Sequence, residues 1–125
     1  MWNRLYWYLM HRYCPKYQYN VVRMPSLEPG YYDPDVRMLH ASFDMFAEWF
    51  HYNVFETKLM DHHCIDEGAP GTYDEMMELY KWWTVNKTEF ELREDVSYVD
   101  QMNFEKTEQE MLLRLITVRR HIWYL

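Results

Sequence analysis

One arginine raises the first chemical question. In TEQEMLLRLITVRRHIWYL, residues 107–125, apolar side chains recur at helical spacing. At about 100° per residue, Leu112, Leu115, Ile116, Ile122 and Trp123 form one broad stripe, with Met111 and Val118 on its flank. Arg119 projects between Leu112 and Leu115, near the centre of that stripe, while Glu110, Arg114, Thr117 and His121 take the opposite, wet face. Three readings of Arg119 compete. Its stem lies along the core and its head snorkels out at the helix end, or it is buried against an acid such as Asp44 or Glu48, or it lines a pocket and holds an anionic ligand. An unpaired guanidinium in an apolar interior costs several kcal/mol, so burial demands a negatively charged companion.

Flat rings adjoin the same question. Tyr31, Tyr32, Trp82, Trp83 and Trp123 sit at segment ends or stripe edges. Such rings stack on nucleobases at about 1–3 kcal/mol per base, and Arg37, Arg114 and Arg119 are suited to bidentate phosphate contacts. With a hydrogen bond from His40, these residues would hold an adenosine-phosphate-like molecule. The competing reading makes the aromatics core and rim.

Other chemistry-bearing groups are weaker. His40 and Asp44 are four apart, and Glu48-x-x-His51 has the spacing used in carboxylate-bridged di-metal bundles. No second Glu-x-x-His exists in the chain, so a hydrogen-bonded histidine at a helix edge is the rival. DHHCIDE, residues 61–67, gathers Asp61, His62, His63, Cys64, Asp66 and Glu67, but adjacent residues rarely converge on one ion. Cys64 beside His63 lacks an accompanying oxyanion element. GAPG, residues 68–71, lacks the lysine of a phosphate-binding loop. No metal site, cofactor or catalytic residue is assigned, and a non-enzyme is expected.

The elements that must position these residues are mostly helices. Residues 1–14 fit a short helix, on the spacing of Leu5, Tyr8 and Leu9 with Asn3 as a cap, and equally fit an aromatic strand. YQYNVVRM, residues 17–24, reads as extended, and PSLEPGYYDPD as a loop. A long central helix is expected over 34–59, with Asp33 as N-cap and Pro34 at the first helical position. It carries two apolar stripes on nearly opposite sides. Val36, Leu39, Phe43, Phe46, Phe50 and Val54 make one, and Met38, Met45, Trp49 and Tyr52 the other. Either both faces pack within the monomer, or one meets a second subunit. DHHCIDEGAPG, residues 61–71, reads as a loop. A second helix starts at Thr72, where Thr72 and Glu75 have capping-box spacing, and runs on a stripe of Met76, Leu79, Tyr80 and Trp83. Residues 86–103 are polar and irregular, with FELRED as a brief strand at most. The C-terminal helix starts near Phe104 or Thr107, where Thr107 and Glu110 repeat the box. The result is a mainly α, small single-domain protein spanning residues 1–125.

Composition narrows the function classes. At 125 residues the chain builds one domain and one modest core, and 49% hydrophobic content excludes a disordered chain. Aromatics reach 19% and there are 10 Met, residue types that fill cores and also dominate interfaces. The net charge of -7 argues against non-specific nucleic-acid binding. Cys14 and Cys64 are in no metal-like spacing and suit free thiols in the cytosol. No run of about 18 apolar residues marks a membrane span. Arg4, His11 and Arg12 interrupt what would otherwise resemble a signal peptide.

Three segments together resemble a family of uncharacterised tailed-bacteriophage proteins. They are PGYYDPDVRMLHASF (29–43), ELYKWWT (78–84) and EQEMLLRLITVRRHIW (108–123). That family carries a PGYHD-type turn before a DxRMLHA-like helix, an LYxWW segment, and an EMLxRLxxxRxxxW-like C-terminal helix. The resemblance covers about a third of the chain and implies a setting, the cytoplasm of an infected bacterium, without implying an activity. The first expectation is a self-associating, non-catalytic protein that sequesters a nucleotide-type immune signal. Its ligand residues would be Arg119, Arg114, Arg37, His40, Tyr32, Trp82, Trp83 and Trp123. The alternatives are an interaction protein that docks on and inhibits a host protein, and a minor virion or assembly component.

Overall fold

The computed structural model describes residues 2–14, 22–67 and 69–122, with His62 and His63 described by their backbone alone. Trp123 and residues 17–21 of the expected extended segment lie outside the described residues. Among the described residues every regular element is a helix and none is a strand, so the protein is mainly α. The order is α1 (Trp2–Tyr13), α2 (Pro34–Phe50), a π-helical continuation π1 (His51–Glu56), α3 (His62–Asp66), α4 (Thr72–Lys81), a second π-helical stretch π2 (Trp82–Asn86), α5 (Lys87–Glu91) and α6 (Tyr98–Val118). A single 3-10 turn, Arg119–His121, ends α6. No helix among the described residues is long and apolar enough to cross a membrane.

The N-terminal segment takes the helical alternative. On α1, Trp2, Leu5, Tyr6, Leu9 and Tyr13 recur at the spacing that places them on one side, and Asn3, Arg4 and His11 fall on the other. None of its residues is buried. Residues 22–24, expected to be extended, have no regular structure.

The central helix starts as its residues require. Pro34 occupies its first turn after Asp33, whose backbone is extended but whose side chain makes no cap bond. The helix keeps winding to Glu56 with its last turn and a half widened. Thr57 then closes it by donating both its N–H and its hydroxyl to Tyr52 O. Lys58, at φ 54°, turns the chain away. Inside π1, buried Asn53 gives its amide nitrogen to Trp49 O at 2.9 Å, which satisfies a polar side chain in the core.

Several local expectations are corrected. The Thr72–Glu75 capping box does not form. Gly71, at φ 87°, is the N-cap, Thr72 lies within the helix with its hydroxyl on Ala69 O, and Glu75 turns to another helix. The Thr107–Glu110 box fails for a different reason, because α6 begins nine residues earlier. Its N-cap is Ser97, whose hydroxyl accepts from Asp100 N at 3.1 Å, and Thr107 donates to Asn103 O in mid-helix. Residues 86–103 are therefore largely helical, and FELRED belongs to α5 and the turn after it. The DHHC loop is a short helix, with Asp61 accepting from Cys64 N.

The core gathers Phe43, Phe46 and Phe50 of α2, Met76 and Leu79 of α4, Trp82 and Trp83 of π2, and Met111, Leu115 and Val118 of α6. Phe43 stacks on Trp83 at 4.8 Å with the planes 13° apart. Phe90 stacks on Phe104 at 3.8 Å. The second stripe of α2 is only partly packed within the monomer. Trp49 is buried, but Met38, Met45 and Tyr52 are exposed.

Candidate functional site

A groove of about 840 Å³ opens where α2, the two π-helical stretches and residues 23–26 converge. Two helix faces form its walls. His40, Asp44, Ala47, Glu48 and His51 line one side, and Trp83, Thr84, Lys87, Thr88 and Glu91 the other. Both sets recur at three- and four-residue steps, so each wall is one continuous helix face. Both π-helical stretches border it, and widened turns of this kind are frequent at functional sites.

The inner end is a hydrogen-bonded relay. Trp83 Nε1 donates to Asp44 Oδ1 at 3.0 Å. The other carboxylate oxygen accepts from the Ser26 hydroxyl and, at 3.2 Å, from Ser26 N–H. Ser26 Oγ lies 2.7 Å from His40 Nδ1. Since the hydroxyl proton points to Asp44, Nδ1 carries the proton that bonds to Oγ, which assigns the tautomer. Burial, assisted by the charge of Lys87 and opposed by Asp44 and Glu91, pushes His40 below its usual value of 6.5. The imidazole is held neutral. A serine, a histidine and an aspartate thus meet, but serine stands between the other two. Histidine is not placed to take the hydroxyl proton, so the order is that of a structural clasp tying the 23–26 loop to α2.

Lys87 anchors the far wall. It is 6% exposed, bonds to Glu108 at 2.8 Å and Glu91 at 3.1 Å, and lies 5.3 Å from the rings of both Trp83 and Phe104. A cation this deeply placed is tolerable because carboxylates and ring faces surround it. Glu48, by contrast, is exposed at the rim. The rim therefore carries the carboxylates of Glu48 and Glu91 together with Arg23, and Met24, Pro25, Ala47 and Trp83 supply its apolar lining.

The expected ligand residues do not converge here. Arg119 is exposed in the terminal 3-10 turn. Its expected place in the stripe assumed an unbroken α-helix with Ile116 buried. Ile116 is exposed, and the buried line runs through Met111, Leu115 and Val118 instead. Arg114 is not on a wet face free for phosphate. Its Nε and Nη2 take both oxygens of Glu75, and Nη2 also bonds Glu78 at 2.6 Å. These bonds hold Glu75 below the usual carboxylate range and raise the guanidinium further still. Arg37 is exposed, Tyr32 half-buried, and Trp82 and Trp83 are core, each 6% exposed. Of the described members of the expected set, only His40 and Trp83 line the groove.

Of the metal-type groups, His51 is otherwise engaged. His51 faces Tyr80 OH at 3.2 Å through Nδ1 and Glu56 at 3.3 Å through Nε2. Among the described residues no group of three or more His, Cys, Asp or Glu is placed to hold a metal ion. Ser26, Lys87 and Glu91 went unnoticed in the sequence. The regular step Trp83, Lys87, Glu91 was the available signal, obscured by the polar look of residues 86–103.

No protein-family model, curated protein or solved structure matches the chain. Fold and site together define a small helical domain with a groove of mixed charge and an exposed aromatic helix.

Proposed function

We propose that this protein is a non-enzymatic interaction protein that docks on a partner protein through α1. One observation carries the reading. α1 is amphipathic, rich in large rings, and buries none of its residues. Trp2 is 82% exposed and Tyr13 70%, with Leu5, Tyr6 and Leu9 also on the surface. Soluble chains rarely leave a continuous apolar face of this kind uncovered without an interaction to use it. Spacing of anchors at one helix face suits insertion into a groove. α1 holds no acidic residue, so nothing on it repels an apolar groove flanked by carboxylates. The likeness of three segments to bacteriophage proteins supplies the setting, with the partner in an infected bacterium. The nucleotide-sequestration reading draws no support from the groove, whose described lining holds, of the rings and arginines expected to bind the ligand, Trp83 alone.

The test uses the whole chain and a variant with Trp2→Ala, Leu5→Ser and Leu9→Ser, both immobilised and exposed to defined candidate partners. The intact protein retains a partner and the variant loses it, with an unchanged melting temperature because these residues are outside the core. Equal retention by both proteins defeats the reading. A melting-temperature rise with cyclic or ADP-ribose-type nucleotides, unaffected by the α1 variant, would favour the ligand reading instead.

A further inference from the structure

We infer that the groove between α2 and π2–α5 binds a small, uncharged, flat molecule of the indole or phenol class, which presents one N–H or O–H donor to Nε2 of His40. No residue of α1 lines this groove, so the site is independent of the docking reading.

One unspent group carries the assignment. His40 is 5% exposed, and its Nδ1–H is spent on Ser26 Oγ at 2.7 Å. With the proton on Nδ1, Nε2 keeps a bare lone pair and can only accept. That nitrogen meets no donor among the described residues, yet none of their buried side-chain nitrogens or oxygens is sealed away without a partner. Nε2 is therefore open, and the groove is the cavity that its ring lines. An acceptor this deep costs free energy while it lacks a donor, so a ligand that supplies one is favoured.

The chemistry around Nε2 selects the ligand. Nearby donors are all committed. Trp83 Nε1 and the Ser26 hydroxyl serve Asp44, Lys87 serves Glu91 and Glu108, and the Thr84 and Thr88 hydroxyls donate to backbone carbonyls of their own helix. A phosphate or carboxylate thus finds no unspent donor at this end. Burial and the charge of Lys87 are the two largest influences on His40, and both work against positive charge there. An uncharged donor suits the position better than an ammonium. The remaining lining is apolar, with Met24, Pro25 and Ala47 beside Trp83, whose ring lies 4.9 Å from the imidazole at 72°. About 840 Å³ of apolar-lined space with one convergent polar group is the form of a small-ligand site. A flat ring fills a slot bounded by two helix faces, and the unbranched Met24 adapts to its edge.

Indole and N-methylindole are the probes, because they share a ring system and only the first has a donor. Imidazole nitrogen NMR of the full-length chain at neutral pH reads the result, with His40 assigned by its absence in His40→Asn. In the free protein His40 shows a protonated Nδ1 and an unprotonated Nε2. Indole moves the Nε2 resonance, and N-methylindole binds at least about fivefold more weakly, because it leaves the acceptor unmet. Thr88→Trp, at an exposed position on the far wall, fills the groove without touching the clasp of Ser26, His40 and Asp44. It keeps the His40 tautomer and loses the response to indole, and the kept tautomer excludes misfolding as the cause. A proton on Nε2 in the free chain overturns the inference. So does an Nε2 resonance that indole leaves in place, or equal binding of the two probes. A full response to indole in Thr88→Trp overturns it as well, since the ring then binds elsewhere. None of these outcomes bears on α1, whose docking is decided by the Trp2, Leu5 and Leu9 variant.

Discussion

Arg114 and Arg119, five residues apart near the end of α6, carry unequal energetic weight. Arg114 bridges to α4 with a fork that fits both oxygens of Glu75, and it shares Glu78 as well. Its side chain is 38% exposed, so water screens the pair and the expected loss in Arg114→Ala is about 1 kcal/mol. Arg119→Ala, at an exposed position in the final turn, changes stability by less than about 0.5 kcal/mol. Denaturant unfolding of the two variants measures the difference, and equal losses would mean that Arg119 has a buried role. Lys87 should be more sensitive. Replacing it with Met keeps most of the volume but strips Glu108, itself only 18% exposed, of its cation, at a cost of about 2–3 kcal/mol. At this scale the sequence was a poor guide. Arginine at a periodic position is visible in a single chain, but the carboxylate it meets is 39 residues away.

Among the elements, the start of α6 offers the sharpest contrast. Ser97→Ala removes the hydroxyl that accepts from Asp100 N and should cost about 1 kcal/mol. Thr107→Ala, at the position that mimics a cap, should be neutral or slightly stabilising, because alanine is the better residue in mid-helix. Thermal unfolding of both variants decides where the helix begins, and the reverse order would return the start to Thr107. Gly71 belongs to the same scale. Its φ of 87° is costly for any residue with a Cβ, although nothing lies within 4 Å of an added one. Gly71→Ala should therefore lose about 1 kcal/mol through backbone strain alone. The starts at Pro34 and Thr72 were legible, whereas the start of the C-terminal helix was not. Ser97 and Thr107 are both competent caps, and only the packing of Phe104 on Phe90 and Trp82 extends α6 back to the first of them.

The whole molecule should lose stability in acid in two stages. Burial depresses His40 below 6.5, and the bonds from Arg114 depress Glu75 below 4.5. In both cases the unfolded chain binds the proton more readily than the folded one. The stabilisation is fully present above the unfolded value and fades as pH falls through the folded one. The melting temperature should hold above about pH 6.5, decline below it as His40 is forced to charge, and decline again below about pH 4.5. His40→Asn should flatten the first decline while leaving the second. A melting temperature that stays level from pH 7 to pH 5 in the parent chain would show that the clasp of Ser26, His40 and Asp44 does not hold His40 neutral.

What the sequence determined by itself is the class of fold and most of its helices. Apolar residues at three- and four-residue steps act within one segment, so the pattern in 34–56, 72–83 and 108–118 reports a helix whatever lies beyond it. The aromatic face of α1 was written there too, in Trp2, Leu5, Tyr6, Leu9 and Tyr13, although a strand could have used the same rings. Tertiary structure decided which of two stripes on α2 is buried, which flank of α6 faces the core, and where each charge is spent. Those outcomes depend on which surfaces segments distant along the chain bring together. Met45 and Phe46 are neighbours of similar hydrophobicity, and only the arrival of α4 and α6 on one side makes the second core and leaves the first in water.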